Sequence, residues 1–457
     1  MHKALPLTLV DLENSVAAGQ IDTVLVVFPD LQGRPVGKRV VAPFFLDHVA
    51  KHGVEACDYL LAVDVDMNPI PGYRFTNWET GYGDLNARCD ISTLRLVPWL
   101  EKTALVICDV FKMDGSEIDI APRTLLRNQI KKAHGLGYEI KTGTELEFFL
   151  FKDTYIDAAD KNYKDLRTFS NGVEDYQIFQ TSVEEPIIRE IRNNLLLAGI
   201  PIEFSKGEAG NGQHEINVTY DLALNCADNH MIFKNGVREI CALKSVSATF
   251  MAKWSMEEVG SSCHVHSSVW DLKSSQSLMY DEGETYTLSK LAKSYIAGQL
   301  ALARELSWFY AHYLNSFRRY VPGSWAPTAV AWGIDNRTCG FRVVGKNSGI
   351  RVENRIPGAD VNPYLTLGAT IAAGLYGIEK NLELPPPLAG NGYTAEGVDR
   401  IPNTLNEAVE LLESSEIVKT IFGEEVHYHY LNTAKQEFQA SNRVVTDWEL
   451  KRNFERI

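Results

Sequence analysis

Short runs of β-branched and apolar residues, separated by polar turns, mark the first hundred residues as strand-rich. Segments 24–28 and 36–41 flank a turn-forming stretch, so the sequence predicts a β-hairpin there. A further strand is predicted within 102–110. The polar turn that follows indicates a domain boundary. We therefore expect a small N-terminal domain, 1–113, and a larger domain, 114–457.

The rest of the chain mixes helical and strand-like patterns, which predicts an α+β domain. A helix is expected from Pro122, where proline suits the first turn, to about His134. A long strand follows at 138–151, and an aperiodic polar stretch at 152–175 predicts a loop or flap. Further helical patterns lie at 186–198, 230–254, 287–314, 363–379 and 405–413.

Three strand-like segments of the larger domain carry polar side chains at alternate positions, which share one face of a strand. These positions hold Glu145 and Glu147, His264 and His266, and Arg351, Glu353 and Arg355. Taken alone, a Glu-x-Glu pair is typical of a solvated strand face and a His-x-His pair of hydrogen-bonded side chains. An Arg-x-Glu-x-Arg triplet is typical of a salt-bridge ladder.

Together the segments predict a metal and phosphate site, if they share one sheet whose polar face turns inward. Glu208 and Glu215 frame a glycine-rich turn and would add two carboxylates. Clustered carboxylates need a compensating cation, and oxygen ligands with an imidazole suit Mg²⁺ or Mn²⁺. The guanidinium groups suited to phosphate and carboxylate are Arg319, Arg337, Arg342, Arg351 and Arg355. Metals with several arginines in one cavity indicate phosphoryl transfer.

Composition and charge disfavour other classes of function. The 457-residue chain has 45% hydrophobic and 23% charged residues, as soluble globular proteins do. Its net charge of −14 disfavours nucleic acid and anionic membranes as partners. Seven scattered cysteines, together with the absence of a signal-peptide pattern and of a long apolar run, predict a cytoplasmic protein. The sequence has no P-loop or Rossmann phosphate-binding motif.

In this order, the polar segments resemble those of the glutamine synthetase family. The resemblance covers nearly the whole chain and is strongest at 144–151, 206–218, 264–270, 315–342 and 351–365. It implies a small β-grasp-like N-terminal domain and a catalytic domain whose antiparallel sheet forms a partial barrel. It also implies a homo-oligomer of stacked rings, a dodecamer, in which the N-terminal domain of one subunit closes the active site of the next.

The resemblance also implies roles for individual residues. The first metal would be held by Glu147, Glu208 and Glu215, and the second by Glu145, His264 and Glu353. Nucleotide contacts would come from His266, Ser268, Arg342 and Arg351, and substrate contacts from Gly260, Arg319 and Arg355. Arg337 would stabilise the transferring phosphoryl group. The family uses ATP, with two or more Mg²⁺ or Mn²⁺ ions per site, to convert glutamate into γ-glutamyl phosphate, from which an amine displaces phosphate.

The sequence departs from glutamine synthetases at the pocket for the amine. Trp325 occupies the position of the flap glutamate that takes a proton from ammonium, and Asp58 corresponds to the aspartate that holds ammonium. An indole in place of a carboxylate removes charge and adds an aromatic face, which suits an organic amine. The chain therefore resembles the γ-glutamyl-amine branch of the family, whose ligases take polyamines, ethanolamine, alkylamines or aniline.

Three alternatives stay open at this point. The nearest is a true glutamine synthetase that uses ammonium and tolerates Trp325. A non-catalytic, structural member of the family is disfavoured because buried carboxylates cost stability without a metal. An unrelated two-metal hydrolase is disfavoured by the arginines and by the order of the polar segments. A polyamine, an alkylamine and an aromatic amine all stay candidates for the acceptor.

Overall fold

The N-terminal part of the chain folds into a five-stranded sheet in the computed structural model, which describes residues 7–457. Its strands are β1 (Thr23–Pro29), β2 (Pro35–Val41), β3 (Val54–Cys57), β4 (Asp84–Leu96) and β5 (Thr103–Lys112). They lie in the order β2-β1-β5-β4-β3. The predicted hairpin is confirmed, because β1 and β2 pair antiparallel, while β1 and β5 pair in parallel.

A second sheet of nine strands dominates the rest of the chain. Its strands are β6 (Tyr138–Phe151), β7 (Ile202–Gly207), β8 (Gln213–Val218), β9 (Asp221–Leu222), β10 (Ser247–Thr249), β11 (Cys263–Asp271), β12 (Trp332–Ile334), β13 (Phe341–Val344) and β14 (Arg351–Asn354). The main order is β12-β13-β14-β11-β6-β8-β7, and β9 and β10 also pair with β6. Every pairing is antiparallel except that of β12 with β13. The α+β class and the antiparallel character expected from the sequence are therefore confirmed.

Helices pack against this sheet and against one another around the buried helix Pro363–Glu379, which contacts Pro122–Gly135, Ala223–Leu243 and Lys290–Ala301. The other helices are Leu9–Ala17, Ala42–Phe44, Ala50–His52, Tyr155–Asp160, Ile178–Thr181, Glu185–Leu197, Ser307–Tyr310, Leu405–Ser414, Glu416–Phe422, Glu424–Ser441 and Asp447–Asn453, with a π-helical segment at Phe45–Val49. Short 3₁₀ turns lie at Asp58–Leu61, Thr285–Thr287, Asn315–Arg319 and Asn347–Gly349. The helical layer leaves the polar side of the sheet free for a site.

Two glycines allow the backbones of neighbouring helices to touch. A Cβ atom on Gly298 would lie 2.1 Å from the carbonyl oxygen of Ala373, and one on Gly377 would lie 2.0 Å from the carbonyl oxygen of Ser294. Both distances are far below van der Waals contact, so only glycine fits at either position. The helices Lys290–Ala301 and Pro363–Glu379 are therefore fixed at their closest approach.

The bounds predicted for two long helices are wrong. The helix expected at 230–254 runs instead from Ala223 to Leu243, and residues 247–249 pair with β6 as β10. The chain leaves the helix because Ser245 adopts a left-handed conformation, with φ at 57°. The helix expected at 287–314 is divided into Lys290–Ala301 and Ser307–Tyr310. In both cases apolar residues recur on either side of the break, so the sequence pattern did not reveal it.

The predicted flap at 152–175 is largely irregular, but it contains the helix Tyr155–Asp160. The hydroxyl of Thr154 accepts a hydrogen bond from the Asp157 backbone N–H, and the Asp157 carboxylate accepts one from the Thr154 backbone N–H. This reciprocal cap explains a short helix that apolar periodicity does not reveal.

The two sheets lie on either side of the proposed domain boundary at residue 113, and that boundary stays a prediction. Within residues 7–457, no helix combines the length and the apolar character needed to cross a bilayer. The polar side of the second sheet is the feature that matters for function, because β6 and its neighbours gather there the side chains singled out above.

Candidate active site

Polar side chains form a row across the second sheet, because antiparallel neighbours place directly opposite residues on the same face. The opposed pairs are Glu145 with His264, Glu147 with Glu215, His266 with Glu353, and Arg342 with Glu353. The row therefore crosses five strands, from β13 through β14, β11 and β6 to β8. Strand register alone brings together residues that are up to about two hundred positions apart in the chain.

A cavity of about 760 Å³ lies over this row. Its walls include all six residues for which metal ligation was expected, Glu145, Glu147, Glu208, Glu215, His264 and Glu353. They also include four of the five arginines, Arg319, Arg337, Arg342 and Arg355, together with Gly260 and Trp325. Most of the candidate residues thus share one concave space.

Glu145, His264 and Glu353 form one group of possible metal ligands, with ligand atoms within 4.8 Å of one another. Nδ1 of His264 lies 3.2 Å from Oε2 of Glu145 and 3.4 Å from Oε1 of Glu353. Burial, and next the Arg355 guanidinium, lower the pKa of His264 to about 4. The imidazole is therefore neutral at neutral pH, which is the form that binds metals.

A second group joins Glu147, Glu215 and the same His264 within 4.8 Å. Burial and the negative charges of the neighbouring carboxylates raise the pKa of Glu215 to about 9. Burial and the charge of Glu208 raise the pKa of Glu147 to about 7. The side of the cavity formed by these carboxylates thus holds more negative charge than its own cations neutralise, and a bound cation would restore the balance.

Glu208 lines the same cavity but is held differently, because its carboxylate forms an ion pair with Lys206. Burial raises its pKa as well. Lys206 is a residue that sequence analysis did not single out, although its position on β7, two residues before Glu208, is visible in the sequence. The donor set of carboxylate oxygens and one imidazole fits Mg²⁺ or Mn²⁺.

Glu147 is positioned by two residues that sequence analysis also missed, Ser262 and Gln213. Its Oε2 accepts a hydrogen bond from the Ser262 backbone N–H at 2.8 Å and another from Nε2 of Gln213 at 3.2 Å. Nε2 of Gln213 also donates to the Gly260 carbonyl at 3.1 Å. Gln213 lies two residues before Glu215 on β8, so the period of two was the available signal.

Arg319 and Arg355 present guanidinium groups whose Nε atoms are buried and have no hydrogen-bond partner in residues 7–457. Arg319 is anchored by one terminal nitrogen, which donates to the carbonyls of Arg355 and Pro357 at 3.1 and 2.9 Å. A Cβ atom on Gly260 would lie 2.4 Å from Cγ of Arg319, so only glycine fits beside it. These fixed donors suit a carboxylate ligand.

Arg342 and Arg337 share a partner, Asp335, that sequence analysis did not identify. Arg342 also donates to Oε2 of Glu353 at 3.0 Å, so it connects this pair to the row of ligands. Arg337 is about half exposed and lies 3.9 Å from Asp335. Its loose contact leaves the guanidinium free to meet a phosphoryl group.

A second cavity of about 290 Å³ shares Glu145 with the first. The expected nucleotide contacts His266, Ser268 and Arg351 line it. Nε of Arg351 donates to Nδ1 of His266 at 3.1 Å. An aromatic pair closes one side, since the rings of Tyr220 and Trp270 stack at 6.4 Å with 20° between their planes. Aromatic faces beside cations are suited to a nucleotide base and its phosphates.

Of the two residues expected at the amine pocket, Trp325 lies at the larger cavity and Asp58 does not. Trp325 lines the larger cavity, is 59% exposed, and has a left-handed backbone with φ at 65°. Asp58 lies in a 3₁₀ turn of the N-terminal part and lines neither cavity. Its carboxylate accepts a hydrogen bond from the Thr76 hydroxyl at 2.7 Å, and burial raises its pKa. A single chain does not bring Asp58 to the other candidates.

Comparison with known proteins agrees with this geometry. The family described as "Glutamine synthetase, catalytic domain" matches residues 119–453. A γ-glutamylethanolamide synthetase of Streptomyces coelicolor is 49% identical over 452 residues, which cover 99% of this chain and 96% of that protein. A glutamate–isopropylamine ligase of a Pseudomonas species is 39% identical over 435 residues, which cover 94% and 95% of the two chains.

Solved structures give the same result. A structure of GmaS in complex with ADP superposes with a TM-score of 0.85 at 26% identity, covering 97% of this chain and 99% of that one. A structure of GmaS without ligand gives a TM-score of 0.83 at 27% identity. With the family match, the relatives and the carboxylate-lined sheet all in agreement, this chain belongs to the glutamine synthetase family.

Proposed function

We propose that this protein is an ATP-dependent carbon–nitrogen ligase that joins the γ-carboxylate of glutamate to an organic amine. The observation that carries the proposal is one cavity that holds both metal-ligand groups and the arginines, beside a second cavity with nucleotide-compatible walls. Two relatives, one named for an ethanolamide product and the other for isopropylamine as a substrate, support an organic amine over ammonium. Glutamine synthetases are also among the relatives, at 35% identity and below.

The metal ions would be Mg²⁺ or Mn²⁺, two or more in each site. One group of ligands would be Glu147, Glu208 and Glu215, and the other Glu145, His264 and Glu353. When bound, such ions supply positive charge that stabilises the phosphates of ATP. The raised pKa values of Glu147 and Glu215 support this assignment, because they mark carboxylates that lack a cation.

The arginines would divide between glutamate and phosphate. Arg319 and Arg355, whose Nε donors have no partner in the described chain, would hold the carboxylates of glutamate beside Gly260. Arg342 and Arg351 would contact the ATP phosphates, and the half-exposed Arg337 would meet the transferring group. His266 and Ser268 would contact the nucleotide in the smaller cavity.

The reaction has two steps. A γ-carboxylate oxygen of glutamate attacks the terminal phosphorus of ATP, which gives γ-glutamyl phosphate and ADP. The amine nitrogen then attacks the γ-carbonyl carbon, the C–O bond to phosphate breaks, and the nitrogen loses a proton to form the amide. The fixed guanidinium groups would stabilise the charge that develops in both steps.

Trp325 would form part of the amine pocket, because its side chain lines the cavity where glutamine synthetases carry a carboxylate. An aromatic wall favours an alkyl or aryl group on the nitrogen. Asp58 lines neither cavity of its own chain. We propose that a neighbouring subunit contributes it, in a cytoplasmic assembly of stacked rings, a dodecamer.

A direct test incubates the purified protein with Mg²⁺, ATP and glutamate and measures phosphate release across a panel of amines. The panel contains ammonium, putrescine, spermidine, ethanolamine, isopropylamine and aniline. Strong turnover with one organic amine and little with ammonium supports the proposal and identifies the acceptor. Ammonium as the best substrate would make the protein a glutamine synthetase. Inactivity with every amine, without metal binding, would favour the non-catalytic alternative.

A further inference from the structure

A third group of potential metal ligands lies outside the catalytic cavity. Glu174, Glu184 and His214 offer ligand atoms within 4.8 Å of one another. None of the three lines the catalytic cavity. His214 lies on β8 beside Glu215, and because side chains alternate along a strand, the two point to opposite faces of the sheet. The group is therefore separated from the active site by the thickness of the sheet.

The three side chains are almost completely buried, with exposed fractions of 2% for Glu174, 0% for Glu184 and 1% for His214. Both carboxylate oxygens of Glu184, Oε2 of Glu174 and Nε2 of His214 have no hydrogen-bond partner within residues 7–457. Buried polar atoms are rarely left unpaired, since each costs on the order of 1–3 kcal/mol. Each of the three residues offers one ligand atom within 4.8 Å of the others, so unpaired polar atoms of all three side chains gather in one place.

No lysine or arginine of the described chain forms an ion pair with Glu174 or Glu184. Lys152 acts on Glu184 only from a distance, as a weak charge effect. Burial, and next the carboxyl group of Glu174 that lies beside it, raise the pKa of Glu184. Within the group, Nε2 of His214 lies 4.0 Å from Oε2 of Glu174. That separation is too long for a hydrogen bond, but two metal–ligand bonds of about 2.1 Å each would span it.

We propose that Glu174, Glu184 and His214 bind a divalent transition-metal ion such as Zn²⁺ at a site distinct from the catalytic metals. Two carboxylates and an imidazole form a ligand set that zinc accepts, and the imidazole favours zinc over Mg²⁺ or Ca²⁺. One dication would neutralise both carboxylates and pair with unpaired atoms of all three side chains. The inference stands apart from the proposed ligase activity.

The expected role of this ion is to fix a wall of the active site. Glu174 and Glu184 enclose a segment, 174–184, in which Asp175, Tyr176 and Ile178 line the catalytic cavity. The segment is also held at β7, where a Cβ atom on Gly207 would lie 2.7 Å from the Glu174 carbonyl oxygen. A metal joining both ends of the segment to β8 would keep that wall closed against the sheet.

The test compares the zinc content of the wild-type protein, Glu184→Gln and Glu190→Gln after loading with Zn²⁺ and desalting. Glu190 is a matched control, because it is an exposed carboxylate on the helix that follows Glu184. We expect Glu184→Gln to lose one equivalent of zinc per chain and Glu190→Gln to lose none. Equal zinc content in all three, with Glu184→Gln more heat-stable, would overturn the proposal in favour of a shared proton.

A second measurement does not depend on whether Glu184→Gln folds. Crystals of the wild-type protein soaked with Zn²⁺ would be measured at the zinc absorption edge. An anomalous peak about 2.1 Å from Nε2 of His214 supports the site. The absence of such a peak, in crystals that show zinc at the catalytic ligands, would overturn it while leaving the proposed ligase function intact.

Discussion

At the scale of single residues, the carboxylates of this site differ in how many positively charged side chains they contact. Glu353 has two arginines in contact, Arg355 at 2.6 Å and Arg342 at 3.0 Å. Burial would raise its pKa, but the charges of His264, Arg355 and His266 hold the pKa at about 2. Glu215 has no such contact, and its pKa rises to about 9. At the Glu353 end of the row, protein cations balance the carboxylate. At the Glu215 end they do not, so a bound metal ion would be needed there.

This imbalance gives a pH prediction for the metal-free protein. The carboxyl groups of Glu147 and Glu215 have pKa values of about 7 and 9, above the usual 4.5, so the folded state holds their protons more tightly than the unfolded state. Their contribution to stability is complete below pH 4.5 and is lost as the pH rises toward 9. We expect Mg²⁺ to raise the melting temperature more at pH 8.5 than at pH 6.

Thermal unfolding with and without EDTA checks this expectation, and Glu215→Gln is the matched variant, because it removes the group with the larger shift. The variant should show a smaller pH dependence of stability in EDTA. A stabilisation by Mg²⁺ that is the same at both pH values would contradict the argument.

Trp325 is the residue expected to decide the acceptor. Trp325→Glu restores a carboxylate to the flap, so we expect the ratio of kcat/KM for ammonium to that for the preferred organic amine to rise at least tenfold, about 1.4 kcal/mol. Phosphate release with each amine measures the ratio. Trp325→Phe, which keeps an aromatic face, is the control and should leave ammonium a poor substrate. A ratio unaffected by Trp325→Glu would show that the acceptor is selected elsewhere.

Gly260 is expected to set the position of a substrate arginine. A methyl group at this position would lie 2.4 Å from Cγ of Arg319, so Gly260→Ala must displace that side chain. We expect KM for glutamate to rise about tenfold or more, with a smaller change in KM for ATP. Gly135→Ala is the control, because a Cβ atom there meets nothing within 4 Å. Equal changes in both KM values would indicate a general disturbance instead.

At the scale of strands and helices, alternation along single strands was enough to predict which polar side chains share one face of the sheet. Glu145 with Glu147 and His264 with His266 were recognised from a period of two, and the structure places all four on the polar face. What the sequence does not contain is the register between strands. Ser262 and Asp335 were therefore missed, because their contacts depend on which residue lies opposite or beside them, whereas Gln213 and Lys206 could have been found from their spacing of two to Glu215 and Glu208.

Helix ends were harder to predict for a related reason. The segments 230–254 and 287–314 carry apolar residues on both sides of the point where the helix stops, so their patterns give no sign of where it ends. A left-handed residue such as Ser245 ends the first helix, and that conformation is a response to packing. By contrast, 363–379 was predicted at its true bounds, because Asn362 and Pro363 mark its start.

The contact between Gly298 and Gly377 gives a prediction at this scale. Gly298→Ala would place a methyl group 2.1 Å from the Ala373 carbonyl oxygen, which forces the two helices apart. We expect a loss of stability of about 1–3 kcal/mol, the range for overpacked cores. Thermal or urea unfolding measures it, with Gly135→Ala again as the unstrained control. An unchanged melting temperature would mean that the helices are not fixed by this contact.

At the scale of the whole molecule, two features concern the assembly of subunits: the position of Asp58 and the exposed apolar surface. Asp58 lines neither cavity of its own chain, whereas every other candidate residue lines one of them. Large apolar side chains such as Ile178, Phe179 and Phe454 are more than 80% exposed in the isolated chain. Exposed apolar surface of this kind is typical of contacts between subunits.

Mixing inactive subunits tests whether sites are shared. If Asp58 acts in a neighbour's site, then Asp58→Ala and Glu215→Gln proteins, each inactive alone, should recover part of the activity when dissociated and reassembled together. A mixed interface would pair an intact Asp58 with an intact Glu215. Activity that stays absent after mixing, with assembly verified by sedimentation, would place Asp58 outside the neighbour's site.

The two faces of β8 carry different functional side chains, and this restricts the length of the turn that precedes the strand. Gln213 and Glu215 face the catalytic cavity, and His214 faces the opposite side. The preceding turn fixes which residue points which way, since a strand repeats every two residues. Insertion or deletion of one residue between Glu208 and Gln213 would exchange the two faces. The length of that turn therefore cannot change by one residue during evolution without displacing both sets of side chains together.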